Sequence, residues 1–123
     1  MTYQFSQRSL ENLEGVHPDL LKVVTRALEV TQKDFTVIDG LRTIEEQEEL
    51  LESGKSKTMN SRHLTGHAVD IVPYPVTWEY EAFKPVVDSM RQAAQELGIE
   101  ITHGYDWGWD AAHHELSWKA YPA

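Results

Sequence analysis

His63 and Asp70 stand in the stretch Ser61-Arg62-His63-Leu64-Thr65-Gly66-His67-Ala68-Val69-Asp70, which reads as a turn running into the apolar pair Ile71-Val72. An imidazole and a carboxylate at the mouth of a buried strand are metal-ligand chemistry. Two donors do not close a zinc site, so a third must come from elsewhere, and Asp110-Ala111-Ala112-His113 near the C-terminus can supply it. Zinc held by His63, Asp70 and His113 would keep a fourth position open for water, as a catalytic site does, and would leave Asp110 free as a base. Locally, two plainer readings stand beside this one: Asp70 as a turn cap and His63 as a satisfied surface histidine. Alternation along an extended segment puts Asp70 on a face with Ala68 and Val72, where an unpaired carboxylate is costly.

These groups need elements to carry them. Residues 6 to 16 hold Leu10 and Leu13 among polar neighbours, enough for a short helical turn or an ordered arm. His17-Pro18 opens a helix to about Val30, with Leu20, Leu21, Val24, Ala27 and Leu28 at helical spacing; His17 reads as a helix-start residue. Phe35-Thr36-Val37-Ile38 is a strand closed by Asp39-Gly40. Thr43 and Glu46 form a capping-box pattern for an acidic helix ending near Gly54, its Glu run a solvated face. Lys55 to Asn60 is a polar connection. Gly66 bends the chain into a strand from His67 to Val72, closed by Pro73 and Pro75. Thr77 is a candidate cap for a short helix over Trp78 to Phe83. Pro85 begins a helix with Val86, Val87, Met90, Ala93, Ala94 and Leu97 on its apolar face and Gly98 at its end. Ile99 to His103 is the next strand, Gly104 to Asp110 an aromatic loop, and His113 to Trp118 a last strand. Helices and strands mix without βαβ regularity, so the expected fold is α+β with a small antiparallel sheet flanked by helices.

Composition narrows the chemistry. The 123 residues are expected to form one domain, 1–123, without a separate wall-binding or targeting module. The chain has no cysteine, which removes thiolate metal sites and a cysteine nucleophile. A net charge of -9 would repel phosphate backbones and anionic lipid surfaces, so neither nucleic acid nor a membrane is expected as partner. The N-terminus lacks the pattern of a signal peptide, and no apolar run approaches a membrane span.

Ser61-x-His63-x-x-Gly66-x-Ala68-x-Asp70 with Asp110-x-x-His113-x-Glu115-Leu116 resembles the zinc D-alanyl-D-alanine carboxypeptidase and L-alanyl-D-glutamate endopeptidase family, nearest its phage endolysin branch. Ser9 to Leu13, Gly15 to Pro18, Asp39 to Thr43 and Glu45 to Gln47 extend the resemblance over nearly the whole chain. It implies the zinc fold shared with the D-Ala-D-Ala peptidases and hedgehog domains. It also implies one Zn2+ ion on His63, Asp70 and His113, with Asp110 as catalytic base. Arg42 matches the family arginine that faces the cleft, to hold a substrate carboxylate or stabilise an oxyanion; otherwise it would pair with the acidic helix that follows. Ser61 would contact substrate or orient the site.

This chain has Ala112 and His114 where the family has proline before the last histidine and an aromatic after it. Spacing from Asp110 and strand alternation select His113 over His114 as ligand. His67 reads as a surface residue or one behind the ligands, and His103 has no assigned task although it could reach the cleft. Trp107 and Trp109, with Tyr105, are either core packing or cleft walls that grip a peptide stem. The resemblance implies a phage endolysin acting on the peptide stem of peptidoglycan at the L-alanyl-D-glutamate bond. It would be a monomer made in the host cytoplasm and released to the wall with the help of a separate holin. The alternatives are a D-Ala-D-Ala carboxypeptidase or dipeptidase, and a zinc-stabilised binding module without hydrolysis.

Overall fold

The computed structural model describes residues 3–56 and 58–122; Met1, Thr2, Ala123 and Lys57 of the polar connection lie outside the described residues. The elements run α1 (Gln7–Leu13), α2 (Pro18–Val30), β1 (Phe35–Asp39), α3 (Ile44–Glu52), β2 (Ala68–Pro73), α4 (Lys84–Leu97), β3 (Ile101–His103) and β4 (His113–Leu116). The strands form one antiparallel sheet in the order β1-β2-β4-β3. The class is α+β, as the mixed pattern implies.

Local signals act where the sequence places them. His17 caps α2, its Nδ1 accepting the Asp19 amide hydrogen with Pro18 in the first turn. Thr43 and Glu46 close both halves of their capping box at the start of α3. Several bounds differ from expectation. The first segment is a complete helix, because the Ser6 hydroxyl accepts the Ser9 amide and the buried Leu13 anchors the far end. Trp78 and Glu79 precede a 3-10 turn confined to Tyr80–Phe83, and Thr77 caps no helix; its hydroxyl accepts only the Glu79 amide. β3 begins at Ile101 and β4 stops at Leu116, since Ile99 bonds back to the end of α4 and Ser117 starts a turn.

The register sorts the sheet into two faces. Val37 opposes Ile71, Val69 opposes His114 and Ile101 opposes Leu116, and this face is covered by α2 and α4 with Leu20, Val23, Val24, Val86, Met90 and Ala93 in a closed core. Asp39 opposes Asp70, Asp70 opposes His113 and Ala68 opposes Glu115 on the other face. Asp70, which the local pattern marks as costly to bury, therefore shares one side of the sheet with Asp39, His113 and Glu115.

Candidate active site

His63 sits on a 3-10 turn, Arg62–Thr65, opened by Ser61, whose hydroxyl accepts the His63 amide hydrogen at 3.2 Å. Gly66 ends the turn in the left-handed region at φ 74°. The turn is tied to the end of β1 twice. The Arg42 amide donates to the His63 carbonyl at 2.9 Å, and His63 Nδ1 lies 2.8 Å from the Gly40 carbonyl. A carbonyl only accepts, so Nδ1 carries the hydrogen and Nε2 presents its lone pair. That Nε2 is 3.4 Å from Asp70 Oδ1.

His113, first residue of β4, lies across the ladder from Asp70, its Nδ1 3.3 Å from the same Oδ1. Its Nε2 is 2.7 Å from Glu115 Oε1, two residues along the strand on the same face. With Nε2–H donated to the carboxylate, Nδ1 is left as the donor atom aimed at Asp70. Donor atoms of His63, Asp70 and His113 all fall within 4.8 Å of one another. Two imidazoles with fixed tautomers and one carboxylate, open on the cleft side, fit a transition-metal ion with a vacant coordination position.

Electrostatics follow from this crowding. Burial raises the proton affinity of Asp70, but hydrogen bonds to His113 and His63 outweigh it and hold the carboxyl well below the usual range. Burial alone would lower His113, yet bonding to Asp70 and Glu115 pushes it up to about 9 in the metal-free protein. Asp110 is shifted upward, by burial first and by the charges of Asp70 and Glu115, against the opposing pull of His113 and His63.

The triad opens into a cleft of about 810 Å³ whose walls include Arg42, Ser61, Asp110, Trp107 and Trp109. Arg42 does not pair with the glutamates of α3. It forms an ion pair with Asp39, donates to Gln47 Oε1 at 2.6 Å, and sets Nη2 4.0 Å from Asp70 Oδ2. Ser61 lies 3.5 Å from Arg42 Nη1 while capping the His63 turn. Trp107 and Trp109 are exposed on the cleft wall rather than packed in the core, and the Trp107 ring is 5.6 Å from that of His113.

The other histidines separate from the site. His114 is fully buried on the core face of β4, as alternation predicts. His103 does not reach the cleft: the register pairs it with His114, and their Nδ1 atoms are 2.8 Å apart inside the core. His67 is half-buried near the surface with its ring 5.1 Å from that of His17. Sequence reasoning missed three partners. Glu115 orients His113, and its signal is the two-residue spacing on a strand. The Gly40 carbonyl fixes His63, which no side-chain pattern reports. Arg62 is buried beneath Trp118, with its guanidinium carbon 3.9 Å from the ring centroid, and donates through Nη2 to the Leu116 and Tyr121 carbonyls. It thereby straps the His63 turn to the end of β4.

A helix-backed antiparallel sheet carrying two imidazoles and a carboxylate that could hold a metal ion, in a cleft also lined by Asp110, has the groups a metal-dependent hydrolase needs. Comparison with known proteins gives the family. Residues 1–122 match the model of the phage L-alanyl-D-glutamate peptidases, and the chain belongs to that family. It is 36% identical over 122 residues to the L-alanyl-D-glutamate peptidase of Escherichia phage T5, covering 94% of this chain and 89% of that one. It is 29% identical to the L-alanyl-D-glutamate peptidase of Listeria phage A118, where the match covers 98% of this chain but 45% of that longer protein. The crystal structure of the Serratia marcescens L-Ala D-Glu endopeptidase ChiX superposes with a TM-score of 0.91 at 43% identity, covering 98% of this chain and 95% of that one. Among the described residues no helix is long and apolar enough to cross a membrane.

Proposed function

We propose that this chain is a zinc endopeptidase that hydrolyses the L-alanyl-D-glutamate bond in the peptide stem of peptidoglycan, serving a phage in host lysis. One observation carries the reading: donor atoms of His63, Asp70 and His113 converge within 4.8 Å in a cleft also lined by Asp110, whose carboxyl makes no side-chain hydrogen bond among the described residues, in a member of this peptidase family. His63 Nε2, Asp70 and His113 Nδ1 would hold the ion. When bound, zinc supplies Lewis acidity to the scissile carbonyl and lowers the pKa of water beside it.

The chain's own groups do the rest. Asp110, with its proton affinity raised by burial, accepts the proton of the attacking water and passes it to the leaving amine of D-glutamate. Arg42, fixed by Asp39 and Gln47, presents positive charge beside Asp70 for the free carboxylate of D-glutamate or for the developing oxyanion. Ser61 keeps His63 and Arg42 in register, and its hydroxyl borders the bound peptide. Glu115 holds His113 in the tautomer that frees Nδ1.

Phage relatives support synthesis in the host cytoplasm; a separate holin would then give the protein access to the wall. The deciding experiment is mass spectrometry of muropeptides digested by the zinc-loaded protein. Release of stem peptides beginning with D-glutamate is expected. Loss of only a terminal alanine would make the protein a D-Ala-D-Ala carboxypeptidase, and binding without any cleavage would make it a binding module.

A further inference from the structure

The surroundings of Asp70 and of His113 differ in chemistry. Arg42 sets Nη2 4.0 Å from Asp70 Oδ2 with the Ser61 hydroxyl 3.5 Å from its Nη1, and Lys55 lines the same cleft. On the His113 side stand two indoles: Trp107 lies 5.6 Å from the His113 ring, and Trp109 lies 5.6 Å from Trp107 at an interplanar angle of 33°. Trp109 is 74% exposed and Trp107 42%, and neither belongs to a hydrophobic core cluster. Large apolar faces left in water beside a site mark contact with a ligand.

The two flanks of the bond proposed to be cut differ in the same sense. D-glutamate, on the amine side, carries a free carboxylate. L-alanine, on the acyl side, is a single small residue amide-linked to the lactyl group of an N-acetylated amino sugar. One residue advances the chain about 3.8 Å, so the sugar must sit within roughly 10 Å of the reacting carbon. The step from His113 to Trp107 to Trp109 covers that range. Neither alanine nor glutamate offers a broad apolar surface to an indole. A pyranose does: its C–H face is flat and apolar while its hydroxyls stay in water, which suits a half-wet aromatic ring.

We infer that Trp107 and Trp109 form a stacking platform for the N-acetylated amino sugar that bears the stem peptide. Substrate then lies with its sugar on the indoles and its D-glutamate carboxylate toward Arg42. The inference rests on the peptidase reading, and it makes the glycan-linked stem the preferred substrate over free peptide.

The test compares two substrates with the same scissile bond, a muropeptide carrying its sugar and a sugar-free N-acetylated stem peptide. The zinc-loaded protein is expected to favour the muropeptide by about tenfold in kcat/KM, chiefly through KM, and Trp109→Ala to bring that ratio close to one. Trp109→Phe should keep part of the preference. No preference in the wild type, or an equal loss on both substrates in Trp109→Ala, would overturn the platform. A second measurement needs no turnover: an N-acetylmuramic acid fragment without peptide should quench the tryptophan fluorescence of Asp110→Asn and leave Asp110→Asn/Trp109→Ala unchanged. Equal quenching in both would overturn the platform even if cleavage is seen. Quenching that depends on Trp109, with no cleavage of either substrate by the wild type, would remove the peptidase reading and leave the sugar site standing.

Discussion

At the scale of single residues, two carboxylates near His113 differ in their surroundings, and the roles proposed for them should separate by readout in their variants. Asp110 makes no side-chain hydrogen bond among the described residues and borders the cleft, whereas Glu115 is bonded to His113 Nε2 at 2.7 Å. Asp110→Asn is expected to bind zinc as the wild type does while losing about 10²- to 10⁴-fold in kcat, the worth of a positioned proton carrier. Glu115→Gln should weaken zinc affinity by about 10- to 100-fold, because the amide no longer stabilises Nε2–H as a carboxylate does. Zinc titration with a competing chelator, beside muropeptide turnover, measures both. Retained turnover in Asp110→Asn would remove it from the mechanism, and unchanged affinity in Glu115→Gln would reduce that residue to packing. Residue type and spacing single out His63, Asp70, Asp110 and His113 as candidates, but the plainer readings of Asp70 as a turn cap and of His63 as a surface histidine stay open in the sequence until the family resemblance is added. The tautomer of His63 is not legible there, since it depends on a backbone carbonyl 23 positions away in the chain.

At the scale of elements, the site depends on the turn Arg62–Thr65 and its glycine terminus. Gly66 has φ 74°, and a Cβ built there would stand 2.5 Å from the Gly15 carbonyl oxygen, while the Gly66 carbonyl accepts the His17 amide at 2.8 Å. Only glycine combines the left-handed backbone with that approach. Gly66→Ala should cost about 2 kcal/mol or more in urea unfolding, from backbone strain plus the clash. It should also lower turnover by shifting the turn that carries His63. Unchanged stability would show that the junction of α1, α2 and the turn is softer than its contacts indicate. The helices with caps and apolar stripes, α2, α3 and α4, are readable from sequence to within a residue or two. Short elements are not. β3 has three residues, too few for alternation to fix its start, and Thr77 fails as a helix cap because the chain after it takes a 3-10 turn instead.

At the scale of the whole molecule, the sheet keeps a polar face that carries the candidate site and a closed core face, yet the core face contains the His103–His114 pair. An Nδ1 to Nδ1 distance of 2.8 Å places one hydrogen between the two ring nitrogens, and the burial of both rings favours the neutral pair. Burial, with Arg91 nearby, lowers His103 to about 4 against a weaker opposing effect of Asp106. A histidine whose folded pKa is depressed contributes stability that is complete above its unfolded value of about 6.5 and is lost as pH falls toward the folded value. Between pH 6.5 and 5 this amounts to about 2 kcal/mol from His103. The site does not obscure that window in chelator-treated protein. The raised His113 contribution is complete below about pH 6.5, and the lowered Asp70 contribution is complete above about pH 4. Urea unfolding at pH 6.5 and pH 5 should therefore show the metal-free wild type losing about 2 kcal/mol or more, because the fully buried His114, also held well below the usual histidine range, adds a loss of the same sign. His103→Gln, which keeps a hydrogen-bonding group beside His114 but does not titrate, should be less stable at pH 7 and flatter with pH. An equal pH slope in the two proteins would assign the acid sensitivity to other groups and leave the histidine pair a purely steric part of the core.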